Sequence, residues 1–226
     1  MKIHKLIFTL LCVVLFQVCY AAEPTTVYLT RHGQTHWNAK KLWQGTTDTT
    51  LNIDGVQQAA EKAKFFKDMK VEAIYTSPLQ RAYLTAQIIA AAHEKLAIPR
   101  MGLIEHHLGP LEGMHADNVH ALIDSRLNAL SQEERRKVGD YEGLMSLERI
   151  TANAEKELST LAKKHAGGTI VAVSHSGILK AIIAMHTDAI HESIAMSNMA
   201  YVKYIFDGEN LTLVETSPDI VYDTYN

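Results

Sequence analysis

From residue 25 onward the chain alternates short β-rich runs with longer runs of helical period, and this alternation narrows the fold more than any other feature. Residues 27–30 read as a short buried strand. Residues 55–69 place Val56, Ala60, Ala63 and Phe66 at helical spacing with polar residues opposite. A second strand is predicted at 71–76, a helix at 80–93 and a weak third strand at 101–104. An amphipathic helix at 146–165 stops at Gly167-Gly168. The most strand-like segment, 169–174, comes next, and a short apolar helix at 177–186 follows it. Strands at 200–206 and 211–216 flank Asp207-Gly208-Glu209-Asn210, a hairpin signal. Strands separated by helices imply a mostly parallel sheet covered on both faces. The expected fold class is therefore α/β, a three-layer α/β/α sandwich with an antiparallel C-terminal hairpin.

Two stretches depart from that rhythm. Residues 109–144 have helical pieces around 119–130, many His, Arg and Glu residues and few large apolar ones, which predicts a lid-like insertion beside the sheet. At the other end, Lys2 and Lys5 precede an apolar run at 6–18 and small residues at 19–22, the tripartite plan of a secretory signal peptide over 1–22. The run is shorter than the ~20 residues of a spanning helix, and it is either cleaved or kept as an anchor. Cys12 and Cys19 both lie within the leader, so the cleaved chain would have no thiol to mispair. A secreted or periplasmic protein is expected, with 23–226 forming one catalytic domain, since 226 residues without linker or repeat suit a single core.

In an open parallel sheet, ligands bind at the carboxyl ends of the strands. Here one predicted strand runs into Arg31-His32-Gly33 and another into His175-Ser176-Gly177. If these strands are neighbours, the two imidazoles face each other. A third strand ends at Ser77-Pro78 with Arg81 on the following helix, and a fourth ends near Glu105.

Two histidines, two arginines and a carboxylate at one rim suit a phosphate monoester. Arg31 and Arg81 present planar forks that match phosphate oxygens. The helix starts after Ser77 and Ser176 add backbone N–H groups. A neutral imidazole is already a nucleophile and needs no separate base. Glu105 would protonate the leaving oxygen and then deprotonate water. The arginines carry the charge that a metal would otherwise hold, so no metal or cofactor is expected. A net charge of −3 gives no long-range attraction for nucleic acid or anionic lipid. The expected partner is thus a small phosphomonoester held in a local cationic pocket, with no nucleic acid and, once the leader is cleaved, no stable membrane insertion. His106, His107, His115 and His120 fit no familiar zinc spacing and read as solvated or loosely substrate-facing.

The segment Leu29-Thr30-Arg31-His32-Gly33-Gln34-Thr35-His36-Trp37-Asn38 resembles the opening motif of the histidine phosphatase superfamily, the phosphoglycerate-mutase-like proteins. Gln44-Gly45 with Asp48 and Leu51, Gly55 with Gln58-Ala59, and Ser77 through Ala82 follow in that family's order. Glu105 through Gly113 is similar to its acid segment, and Val173 through Gly177 to its second histidine. The resemblance implies that His32 is the phosphorylated nucleophile and Glu105 the proton donor and acceptor. It implies phosphoryl binding by Arg31, Arg81 and His175, phosphate contact by Asn38, and a substrate-side place for Gln44 and Gly45.

The family holds phosphatases and cofactor-dependent mutases. The mutases carry a Tyr three residues after the acid, a Lys beyond the second Gly and an Arg pair following Trp. Leu108 and Ala116 stand near the first two places, and Arg135-Arg136 follows Glu134 instead of Trp. Release of phosphate to water is therefore expected, with mutase-type transfer or a non-catalytic phospho-ligand binder as alternatives.

Overall fold

A computed structural model describes residues 23–127, 129–138 and 144–224; the expected leader at 1–22 lies outside them. The sheet is centred on β4 (Thr169–Ser174) and β1 (Thr25–Arg31), which pair in parallel. With β2 (Val71–Thr76), β3 (Ala97–Pro99), β6 (Tyr201–Phe206) and β7 (Leu211–Thr216), they form a six-stranded sheet in the order β3-β2-β4-β1-β6-β7. β1 to β4 run parallel, while β6 and β7 form the antiparallel hairpin. Asp207 closes that hairpin by accepting from the backbone of Glu209 and Asn210 through Oδ1. A separate pair, β5 (Ala195–Met196) with β8 (Ile220–Val221), carries no sequence signal beyond its short apolar run.

Both sheet faces are covered, which is why the middles of the central strands are apolar on successive residues. Val27, Leu29, Ile170 and Ala172 pack under α6 (Leu147–Ala162) and α7 (Ser176–His186). The alternate residues Tyr28, Val171 and Val173 pack under α2 (Ile53–Phe66) and α3 (Gln80–Ala91). These two faces make the three-layer sandwich. A short α1 (His36–Ala39), capped at both ends of its box by Thr35 and Asn38, follows β1.

Two expectations change. The third strand is not at 101–104. Pro99, which has no N–H to donate, ends β3, and Met101–Leu103 is a 3₁₀ turn held by the Ser174 hydroxyl on the Leu103 carbonyl. The stretch 109–144 is also less polar inside than its composition suggests. Leu108, Leu111, Val119, Ile123 and Leu127, on and around α4 (Ala116–Leu127), form a third small core with Trp43 and Met114. Backbone bonds Trp43 N–H to Met114, Gly113 N–H to Trp43 and Ala116 N–H to Lys41 stitch it to the segment after α1. Short α5 (Gln132–Lys137) follows, and 128 and 139–143 lie outside the described residues.

Candidate active site

The parallel register sets Arg31 beside Ser174, so His32 and His175 leave the sheet at the same level. Their ring centroids are 5.3 Å apart. The His32 amide continues the ladder by donating to the Ser174 carbonyl at 3.0 Å. β2 ends at the same rim, where Ser77 N–H donates to Val173 and α3 then carries Arg81 inward. Gly33 lies against Gly55 so closely that a Cβ on either would strike the other segment's backbone, which seats the start of α2 on the His32 turn.

His32 is buried, and its Nδ1 lies 2.7 Å from the Gly33 carbonyl oxygen. A carbonyl only accepts, so Nδ1 carries the proton and Nε2 keeps the lone pair. Burial first, then Arg81 and Arg31, hold the His32 pKa well below the usual histidine value, so the ring is neutral at pH 7. His175 is depressed in the same direction by burial, Arg81 and His32. The sequence expectation of a neutral imidazole at His32 thus has a geometric cause.

Around these rings lie donors without acceptors. Arg81 gives Nη1 to the Thr47 carbonyl at 2.9 Å and Nη2 to the Gly45 carbonyl at 2.6 Å, leaving Nε unpartnered. Arg31 gives Nη1 to Met196 at 2.8 Å, and its Nε is also unpartnered. Neither ring nitrogen of His175 has a partner, and its neutral ring offers one N–H donor. Buried polar atoms rarely lack partners, and among the described residues four of the seven that do belong to these three side chains. An anion with several acceptor oxygens would satisfy the two arginine Nε groups and the one N–H of the His175 ring together. Burial, partly offset by Glu105, pushes the Arg31 guanidinium down to about 10, so it remains a cation.

Glu105 arrives from the loop after the 3₁₀ turn, not from a strand end. Its Oε2 accepts from Gly177 N–H at 3.1 Å, and its Oε1 accepts from His106 N–H at 3.1 Å and Nδ1 at 2.8 Å. Burial favours the neutral acid, but His106, Arg81 and the Gly177 amide outweigh it and the net pKa is lowered. Helix N–H groups expected to face phosphate are spent inside the protein: Gly177 on Glu105, Gln80 on Asp48, and Arg81 on the Thr49 carbonyl.

A cavity of about 570 Å³ opens over this set, lined by Arg31, His32, Asn38, Gln44, Gly45, Glu105 and Ser176 among others. Arg81 and His175 do not line it; they are buried beneath, in contact with the groups that do. Asn38 Oδ1 is occupied by Thr35 and by Asn198 Nδ2 at 3.3 Å, which leaves its amide nitrogen to face a ligand. Gln44 accepts from the hydroxyls of Thr35 and Thr49. Ser176 contributes as the first residue of α7.

Sequence reasoning missed two contributors. Asn198 links His32's carbonyl to Asn38 from the loop before β6, where no periodic signal marks it. Glu112 accepts from the backbones of Thr46, Thr47 and Leu108 and from both threonine hydroxyls, which fixes the loop whose carbonyls hold Arg81. Burial opposes that charge, yet these donors bring its pKa down to about 2. The histidines of 106–120 do not gather: His107 pairs with Glu112, His115 lies near Asp117, and His106 meets Glu105. Among the described residues no group of three His, Cys, Asp or Glu side chains is placed to hold a metal ion.

The profile of the histidine phosphatase superfamily (branch 1) matches residues 27–217. Phosphoglycerate mutase-like protein 4 of Arabidopsis thaliana is 32% identical over 190 residues, 83% of this chain and 82% of its own length. The metal-independent phosphoserine phosphatase of the same plant is 31% identical over 198 residues, 82% and 81% of the two chains. Among solved structures, phosphoserine phosphatase from Entamoeba histolytica in complex with 3-phosphoglyceric acid has a TM-score of 0.70 at 27% identity, covering 85% of this chain and 96% of that one. Phosphoglycerate mutase from Bacillus anthracis shares the fold, with a TM-score of 0.73 at 23% identity over 88% and 95% of the chains.

Proposed function

The chain belongs to the histidine phosphatase superfamily, branch 1, and from that premise we propose that it hydrolyses small phosphate monoesters through a phosphohistidine on His32. The observation that carries this reading is the free Nε2 of His32 set among the unpartnered nitrogens of Arg31, Arg81 and His175. A phosphoryl group there meets a nucleophile on one side and donors for its equatorial oxygens around it. Positioning and charge stabilisation of that kind are most of what phosphoryl transfer needs. Nε2 forms the N–P bond as the ester oxygen leaves, and Glu105 gives that oxygen a proton. Water then attacks phosphorus, Glu105 takes a proton from it, and phosphate departs.

Asn38 and Gln44 stand at the cavity wall as further polar contacts, and Gly45 acts through its carbonyl on Arg81. Hydrolysis is favoured over mutase-type transfer by Leu108. That position would need a hydroxyl to anchor a phosphoglycerate, and here its side chain is buried in the third apolar core. The substrate class is a small phosphorylated metabolite of the kind named for the relatives, phosphoserine foremost.

Purified chain 23–226 is expected to release inorganic phosphate from phosphoserine or a sugar phosphate with undiminished rate in EDTA. Isomerisation of phosphoglycerate without net phosphate release would contradict this. A lid role for 109–144 and export by the 1–22 leader complete the proposal, the latter resting on the charged start and apolar run alone. Among the described residues no helix is long and apolar enough to cross a membrane. Fractionation of cells expressing the full chain tests export, with activity expected outside the cytoplasm.

A further inference from the structure

General acid catalysis by Glu105 requires a proton on its carboxyl at the moment the ester oxygen leaves. Yet before substrate binds Glu105 is surrounded by donors on both oxygens, and Arg81 stands nearby. A carboxylate so placed has no proton to give. The side chain that touches this carboxylate and can carry a second ring proton is His106, whose Nδ1 is 2.8 Å from Glu105 Oε1.

The contact is built, not incidental. Both side chains are about nine-tenths buried, at 10% and 8% exposure. Both lie on Gly177 at the start of α7: a Cβ there would meet His106 Cε1 at 2.5 Å and Glu105 Oε1 at 2.6 Å. His106 also lines the cavity beside Glu105.

We propose that His106 stores the proton of the acid: Glu105 and His106 hold one proton between them, and His106 supplies through Glu105 what the leaving oxygen receives. This rests on the phosphohistidine reading above, in which Glu105 is the acid. The two half-reactions balance. In the first, the His32 Nε2 lone pair forms the N–P bond, the P–O bond breaks, and the ester oxygen takes a proton from Glu105, which takes the Nδ1 proton of the His106 imidazolium. His106 is left as the neutral Nε2–H tautomer. In the second, water attacks phosphorus, its proton passes to Glu105 and on to His106 Nδ1, and the N–P bond breaks. Ester and water have become alcohol and hydrogen phosphate, and the imidazolium is restored.

The surrounding charges fix when the store is loaded. On its own loop, Glu105 favours the imidazolium. Arg31 beside His32 after β1, Lys41 after α1, Arg81 on α3 and Lys180 on α7 oppose it, while Asp124 on α4 and Glu192 on the 3₁₀ turn His191–Ser193 favour it from the cavity wall; His32, His175, His120 and His191 are the histidines nearby. An arriving phosphate dianion adds two negative charges to this balance, so substrate binding itself draws the proton onto the pair. His106 touches no reacting atom in this scheme. It is a positioning and proton-supplying residue.

The leaving group discriminates this role from simple support. An alkoxide must be protonated to leave; p-nitrophenolate leaves without help. His106→Asn keeps a donor toward Glu105 but carries no extra proton. It is expected to lower kcat on an alkyl phosphate by on the order of 10- to 100-fold and on p-nitrophenyl phosphate by less than about threefold, the difference being the general-acid contribution. In the unaltered protein, kcat on the alkyl ester should fall on the basic side of a pH profile from which p-nitrophenyl phosphate is spared, a comparison that needs no variant to fold. Equal losses on both esters, no loss on either, or superimposable pH profiles would overturn the role of His106. Unchanged turnover by His32→Ala would instead overturn the phosphohistidine reading itself.

Discussion

At the scale of the residue, the site works because a few side chains are denied their ordinary partners. His32 and His175 are buried and neutral, and their stability consequence has a definite sign. Each has a folded pKa below its unfolded value. As pH falls below the unfolded value near ~6.5, the unfolded chain binds protons that the folded chain refuses, so stability is full above that point and lost below it, by about 1.4 kcal/mol per pH unit for each group. Thermal unfolding midpoints are therefore expected to drop between pH 6.5 and 5, less steeply in His175→Asn than in the unaltered chain. Arg81 acts differently: its two Nη groups are committed to carbonyls and its buried Nε is left unpartnered. Arg81→Lys keeps the charge but loses the fork. A fall in kcat/KM on the order of 10²-fold is expected, measured by steady-state phosphate release.

At the scale of the element, each group is delivered by the way a strand, turn or helix ends. The shared register of β1 and β4 brings the two histidines level. The strand-ending histidines and the apolar runs before them were legible in the residues, because both faces of a parallel strand are buried and a period is not needed to see it. The arrival of Glu105 was not legible, since Met101-Gly102-Leu103 has the apolarity of a strand but sits beyond Pro99, where the edge pairing stops. Nor was the third core, because Leu108, Leu111, Val119, Ile123 and Leu127 bury their side chains against Trp43, more than sixty residues upstream of any of them by contact and not by period. The first turn of α7 offers an element-scale test. Gly177→Ala forces Glu105 and His106 aside, and a displacement of that size is expected to cost on the order of 10²-fold in kcat on alkyl phosphates while the fold is kept. Glu112→Gln should loosen the 45–49 loop, lowering stability by about 2 kcal/mol in denaturant unfolding through the donors it leaves facing an amide N–H₂.

At the scale of the molecule, the anion-binding role proposed for a chain of net charge −3 rests on a sheet that gathers two arginines and two histidines at one rim beneath a cavity of about 570 Å³. The third core, stitched to the segment after α1, roofs that cavity with His120, Ile123 and Asp124. Under the proposed function, substrate choice would fall to the part of the chain where periodicity said least. The most direct test of the chemistry beneath it is a single turnover with protein in excess over a phosphate-labelled ester, quenched in alkali, where an N–P bond survives, and mapped by mass spectrometry. Label on the peptide containing His32, lost on acid treatment and absent from His32→Ala, is the predicted result; complete release of phosphate with label on no residue, or on a residue other than His32, would contradict it.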